Sequence, residues 1–452
     1  MVSRRSREWC GVWIFSVTLG MIAYPESMMK SCCTGIPFSQ ARHRDRDVGA
    51  TQIGQYWMAR IVFTWELGQG YGHIVRYIEL IKRLVEDQHD VWFLAKNSER
   101  ARSIFGELPV RVEGIPTSYT PATEKFPELH SYPDIVHNFG FFAAEPLERQ
   151  LGVWVDKLAA IKPDLLVIDH SPMVHLANQV CRIKSIASGS GFTIPPASSP
   201  MRPMRFWSMP DLNDLRVRES RVLAIINQVL HRYGILPLNA FADVLSTDRQ
   251  WLWTFSELDH YGSRENGNYL GNFPQPDFGD APIWRDAGRV KLFTYLSGAR
   301  LPLEFPHAVR KIAADLCLFA PNLLPGEIEK FGDLDFHRAS TPVDLARAAE
   351  ECDAALTHGG LNSASTFLLC GKPVVALVDN LERYMVGRRL ELLGAGLSVP
   401  VRDAKLLYEK LRAVLNDRSF SRSAERFRER YCRDTIDSQL DRIMLDISEL
   451  LA

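Results

Sequence analysis

The chain has 452 residues, long for one domain at roughly 150 residues apiece, so two or three domains are expected. Hydrophobic residues make up 46% and charged residues 24%, which excludes a disordered, collagen-like or coiled-coil chain. Lys and Arg total 53 against 54 Asp and Glu, a net charge of -1, so no global field draws the protein to nucleic acid or to anionic lipid.

The first 57 residues read differently from the rest. Arg4, Arg5 and Arg7 precede an apolar run from Cys10 to Tyr24, the order of a secretory signal, but no small-x-small cleavage site follows. Those fifteen residues are too few to span a bilayer as a helix. The text from Lys30 to Trp57 is polar and aperiodic, and Met58 then opens a clean strand pattern. Met58 is therefore read as the functional start, with residues 1–57 disordered or not made; a signal or membrane anchor is the competing reading.

From Met58 onward strand and helix patterns alternate, the signature of a parallel α/β sheet. A strand at Arg60 to Thr64 runs into a glycine-rich turn through Gly68, Gly70 and Gly72, followed by an amphipathic helix from Ile74 to Gln88 and a strand from Asp90 to Ala95. Leu165 to Ile168 is a short apolar run suited to a buried parallel strand, and it ends at Asp169. A helix from Pro172 to Cys181 and a strand from Ile183 to Ala187 continue the winding. The pattern then degrades from Gly189 to Asn213 before a helix running to Tyr233. A Gly/Pro-rich stretch, Leu270 to Gly279, marks a domain boundary near Asn272.

The second half repeats the architecture, with strands at Val290 to Leu296, Asp315 to Ala320, Ala354 to Thr357 and Pro373 to Leu377. The last helix, Thr435 to Leu451, carries Ile436, Leu440, Ile443, Ile447 and Leu450 on one stripe that must be buried. None of the eight cysteines, Cys10, Cys32, Cys33, Cys181, Cys317, Cys352, Cys370 and Cys432, forms a CxxC pair or zinc-ligand spacing. They read as reduced, mostly buried thiols, the cytoplasmic pattern.

Three places carry chemistry. In Leu356-Thr-His-Gly-Gly-Leu-Asn-Ser363 a buried strand runs into a helix, where free backbone N–H groups and the positive helix end suit a phosphate. An ordinary turn with a Ser or Asn cap is the plainer reading of the same residues. His73 follows the first strand and Asp169 ends a later one, at the edge where open α/β sheets bind ligands. Helix capping is the alternative for each, and His170 and His175 read as polar surface or packing residues. Asp333-Leu-Asp335 is a DxD string with little support as a metal site, and no P-loop or GxGxxG fingerprint points to ATP or NAD.

The run THGGLNSASTFLLCGKPVV, the segment Leu381 to Gly396 after it, and the Gly70-Tyr-Gly-His73 opening together resemble nucleotide-sugar-dependent glycosyltransferases of the GT-B fold, similar to the family 1 group that includes the UDP-glycosyltransferases. The similarity spans most of Met58 to Ala452. It implies two facing Rossmann-like domains with parallel sheets: an acceptor domain at 58–272, a donor domain at 273–434, and a C-terminal helix at 435–452 crossing back to the first. It implies that His358, Gly359, Gly360, Asn362 and Ser363 hold the diphosphate of a UDP- or dTDP-sugar, with Ser297-Gly298 as a weaker contact. His73 would be the general base that deprotonates an acceptor hydroxyl, and Asp169 its support, with inversion at the anomeric carbon.

Two departures stand out. The family's ribose-binding Glu, eight residues after the donor-loop histidine, is Thr366 here, and its sugar-reading Asp/Glu-Gln pair is Glu382-Arg383. These fit an unusual or acidic sugar, or a catalytically silent homologue that binds a ligand or activates a partner; a sugar-nucleotide epimerase is a third reading. No metal and no cofactor beyond the nucleotide co-substrate are implied. The Met201 to Met209 segment, rich in Met and aromatic residues, suits a lipophilic acceptor, peripheral membrane contact, or core and hinge packing.

Overall fold

Two buried sheets of identical strand order organise the chain from Met58 to Ala452. The computed structural model describes residues 58–452 apart from 69–70, 117–118, 209, 273–278, 287, 297–301 and 324. The expectation for residues 1–57 lies outside the described residues.

The first sheet comprises β1 (Arg60–Trp65), β2 (Asp90–Ala95), β3 (Arg111–Gly114), β4 (Leu165–Asp169), β5 (Ser185–Gly189) and β6 (Arg249–Leu252), in the spatial order β3-β2-β1-β4-β5-β6. The second comprises β7 (Lys291–Tyr295), β8 (Asp315–Phe319), β9 (His337–Ala339), β10 (Ala354–Thr357), β11 (Val374–Val378) and β12 (Gly396–Pro400), in the order β12-β11-β10-β7-β8-β9. Every pairing is parallel. Read outward from its own first strand, each sheet reverses direction between its first and fourth strands, which opens a crevice at their carboxyl ends. The expected pair of Rossmann-like domains is present.

The central strands are covered on both faces, so they consist of apolar residues without alternation; β4 and β11 are buried at every position. The strand expected at Ile183 to Ala187 starts two residues later. The Asn178 side chain bonds both the N–H and the carbonyl of Ile183, and Arg182 is left-handed, so this stretch is a turn. The helix expected from Ile74 to Gln88 is broken. A short turn, Gly72–Val75, stops at Arg76, and a second helix runs from Ile78–Glu86. Tyr77 N–H bonds back only three residues, to Ile74 O, and the Arg76 guanidinium takes the Gly72 carbonyl.

The C-terminal helix Ile436–Leu451 sends Leu440, Ile443, Ile447 and Leu450 into the core around β1 and β2, so its apolar stripe is buried against the first domain, as expected. Trp251 Nε1 donates to Asp446 at 2.7 Å, and Arg83 bridges Asp437 and Asp441. Upstream of the expected boundary at Asn272, Phe255 and Leu258 already belong to the second domain's core. Of the Met201 to Met209 segment, the described residues 201–208 form no regular element. Met201 and Met204 are buried in the first core, while Phe206 lies under Arg389 and Trp207 packs against Tyr384, both on the helix Leu381–Leu393 of the second domain. Phe206 and Trp207 therefore serve interdomain packing. No described helix is long and apolar enough to cross a membrane. The described cysteines are all unpaired, and Cys432 is exposed.

Candidate active site

The register of the first sheet sets Trp65, Asp169 and Ser188 side by side at the carboxyl ends of β1, β4 and β5. His73, in the short turn after β1, drops onto this row. Its ring stacks on Trp65 with centroids 5.2 Å apart and planes 13° from parallel, and its Nδ1 lies 2.9 Å from Asp169 Oδ1. Asp169 is 2% exposed, so the carboxylate meets almost no water. Burial raises its carboxyl, but the charges of His73 and Arg76 and the hydrogen bond from His73 outweigh that and hold it below the usual carboxylate range. An ionised Asp169 only accepts, so Nδ1 carries the hydrogen and Nε2 is left to face a ligand. Asp169 caps no helix: the helix Pro172–Cys181 begins after Ser171, with no side-chain cap.

Around Nε2 the backbone comes close. Gly68 has φ +90°, and a Cβ there would stand 2.5 Å from His73 Nε2 and 3.4 Å from His170 Nδ1. Only glycine fits both the conformation and the space. His170, itself left-handed at φ +43°, is buried with its ring 6.3 Å from that of His73, so it is neither a surface residue nor remote from the site. Burial pushes its imidazole down to about 3, which keeps it neutral. His175 is likewise buried and pushed down to about 4.

At the equivalent crevice of the second sheet the means are different. β10 ends at Thr357, Gly359 adopts φ +79°, and the helix Leu361–Leu369 starts from Gly360 with no side-chain cap. The Ser/Asn cap reading is therefore not realised: Asn362 and Ser363 sit inside the first turn, and the first N–H groups of the helix lack side-chain acceptors. His358 is 8% exposed, edge-on to Tyr295, with its Nδ1 unpartnered. Burial, reinforced by the Arg383 charge, pushes it down to about 3, so it is a neutral donor or acceptor. Asn362 Oδ1 accepts from Asn272 Nδ2 at 2.8 Å. Ser363 is buried beside it. Ser297 and Gly298 lie outside the described residues.

The two family departures have specific geometries. Thr366 turns its hydroxyl back onto its own helix, donating to Asn362 O at 3.0 Å, so no carboxylate stands where a ribose would be held. Arg383 Nη1 is held by both oxygens of Asp379, at 2.9 and 3.0 Å, so its charge is matched by the residue just before the helix cap. Glu382 keeps solvent contact at the cleft; the surrounding protein raises its carboxyl, opposed by the positive charge of His73, Arg383 and Arg76. The two crevices thus face each other across one cleft. A Cβ on Gly72 would lie 3.4 Å from Asn362 Nδ2 of the second domain, which measures how closely the domains approach.

Sequence reasoning missed Tyr77, Ser188, Trp253 and Arg76. Tyr77 follows His73 by four residues, a same-face spacing that was a usable signal. Asp333 and Asp335 pair separately with Arg310 and Arg285 on the surface, and among the described residues no cluster of three metal-ligating side chains occurs.

No protein-family model matches the chain. Among curated proteins it is similar to 4'-demethylrebeccamycin synthase of Lentzea aerocolonigenes, 26% identical over 417 residues that cover 83% of this chain and 96% of that protein. Solved structures with the same fold include the glycotransferase of kitacinnamycin (16% identity, TM-score 0.62, 87% of this chain and 99% of that one). The calicheamicin glycosyltransferase CalG4 is also similar (15%, 0.61, 87% and 98%), as is glycosyltransferase VinC in complex with dTDP (15%, 0.58, 87% and 99%). These similarities establish the GT-B fold and bear out the resemblance to glycosyltransferases stated from the sequence.

Proposed function

We propose that this chain of the GT-B fold is an inverting glycosyltransferase that moves a sugar from a UDP- or dTDP-sugar to an acceptor hydroxyl. The observation that carries the reading is the buried His73–Asp169 pair, 2.9 Å apart, set across the cleft from an uncapped helix N-terminus. His73 Nε2 takes the proton from the hydroxyl as its oxygen attacks the anomeric carbon. Asp169 stabilises the imidazolium so formed, as the acid of a Ser-His-Asp triad does. The diphosphate leaves toward the N–H groups of Gly360 and the first residues of the following helix, since those of His358 and Gly359 already donate to Tyr295 O and Thr357 Oγ1, with Asn362 and Ser363 beside it. There the growing negative charge meets fixed dipoles. Glu382, near His73, is positioned to accept from a sugar hydroxyl.

A relative named 4'-demethylrebeccamycin synthase and a neighbour solved in complex with dTDP support a nucleotide-sugar donor and a small-molecule acceptor for this chain as well. The back-bonded Thr366 favours the second reading, a nucleotide-binding homologue without turnover. Incubation with a panel of UDP- and dTDP-sugars and hydroxylated acceptors, read by mass spectrometry and by NMR of the anomeric proton, separates the two. Transfer or slow donor hydrolysis with inversion is expected. A retained anomer would refute the single displacement, and nucleotide binding without either reaction would establish the silent homologue.

A further inference from the structure

Tyr77 sits where the predicted helix breaks, with its ring in the core of the first domain. The ring is fully buried, with centroids 5.1 Å from Phe63, 6.2 Å from Phe93 and 5.8 Å from Trp253. Its hydroxyl lies 3.0 Å from Asp169 Oδ2 and 2.6 Å from Ser188 Oγ, and Ser188 Oγ is in turn 2.7 Å from Trp253 Nε1.

The direction of every bond in this chain is determined. An indole N–H only donates, so Ser188 Oγ accepts from Trp253. A carboxylate only accepts, so Tyr77 donates to Asp169, and Ser188 must donate to Tyr77. Trp253, Ser188, Tyr77 and Asp169 are 5%, 0%, 0% and 2% exposed, so water does not compete at any link. The chain ends at His73, which donates Nδ1–H to the other carboxylate oxygen.

We infer that Tyr77 is a positioning residue of the proposed reaction: through its bond to Asp169 Oδ2 it orients the carboxylate and sets how strongly that carboxylate holds the proton of His73. This rests on the reading of His73 as the base. A hydrogen bond to an ionised carboxylate stabilises the anion and weakens it as a base. Without the phenol, Oδ2 is a buried acceptor with no partner, and Asp169 draws the His73 proton harder. The other groups facing the pair are Arg76, whose charge acts on Asp169, neutral His170, and Glu382 from the second domain, on which the charge of His73 acts, while Lys96 acts on His170 and donates to Gly68 O. None of these is altered by removing the phenol oxygen.

The test is Tyr77→Phe in the full chain, with histidine ring signals followed by NMR from pH 5 to 9 and His73 assigned by its loss in His73→Gln. The protonation midpoint of His73 is expected to rise, by a fraction of a pH unit, because the bond to the ionised carboxylate is lost in both protonation states of His73 and only the part of its worth that differs between them appears in the midpoint. Ser188→Ala, which leaves the Tyr77 packing intact, is expected to shift it in the same direction by less, and it serves if Tyr77→Phe does not fold. Once a substrate pair is found, the acid limb of kcat/KM should move with the midpoint. An unmoved midpoint in both variants would overturn the inference and leave Tyr77 as packing. Full activity in His73→Ala would instead remove the base reading, a separate failure that the titration does not depend on.

Discussion

After β1 and β4 the crevice is armed by side chains: an imidazole, a buried carboxylate and a phenol, each held by a named hydrogen bond. After β7 and β10, in a sheet of the same strand order, it is armed by the backbone: a left-handed glycine and a helix start with no side-chain cap. Proton transfer needs one atom of tuned basicity at one place, which only a side chain supplies. Binding a diphosphate needs several donors of fixed direction and no basicity, which a helix terminus supplies. One topology thus carries two kinds of site because the crevice fixes only location.

The comparison breaks if the first crevice does not carry turnover. His73→Ala is expected to lower turnover by about 100-fold or more while nucleotide affinity stays within about twofold, checked by steady-state kinetics and calorimetric titration. Equal losses in both quantities would show that the crevices are not separable.

Gly68→Ala comes next, at about 10- to 100-fold in turnover. Its Cβ would meet His73 Nε2 at 2.5 Å and must displace the ring from the acceptor position. Rates at the wild-type level would mean that Nε2 does not face the acceptor.

For the second crevice, His358→Ala should weaken UDP or dTDP binding by about 3- to 10-fold, the range of one neutral hydrogen bond, and leave the fold intact. Unchanged affinity in a titration would remove His358 from the donor site.

The smallest effect is on stability against pH. His358 is held to about 3 in the fold against an ordinary value of 6.5. Between these values the unfolded chain binds a proton that the folded chain refuses. The contribution of His358 is therefore present above pH 6.5 and lost as pH falls from there toward 3, by at most about 1.4 kcal/mol per pH unit. The melting temperature of His358→Gln should fall less steeply than wild type between pH 6.5 and 4.5. Parallel slopes would show that the buried histidine is not the cause.

Which strands were legible follows from where they lie. β1, β2, β4, β5, β7, β8, β10 and β11 are interior and read as apolar runs, within two residues of their true bounds. β3, β6, β9 and β12 are the four edges, and none was given bounds from the sequence, although a strand was expected after Asp335. An edge strand such as Arg111-Val-Glu-Gly114 or His337-Arg-Ala339 has no full apolar cover, so nothing in its composition marks it; neighbouring backbone recruits it.

The sequence by itself determined the alternation of elements, the buried stripe of the last helix, and the placement of His73, Asp169 and the His358 loop at strand ends. Each of these is a local consequence of burial periodicity or of a strand-to-helix turn. Tertiary structure alone decided the chain Trp253–Ser188–Tyr77–Asp169, whose first two links span 65 and 111 positions. It also broke the helix at Tyr77, turned Thr366 back on its own carbonyl, and seated Trp207 against Tyr384. Hydrogen-bond partners far apart in the chain leave no periodic trace. Only the strand register, which sets Ser188 beside Asp169, brings their atoms within 3 Å of one another through Tyr77.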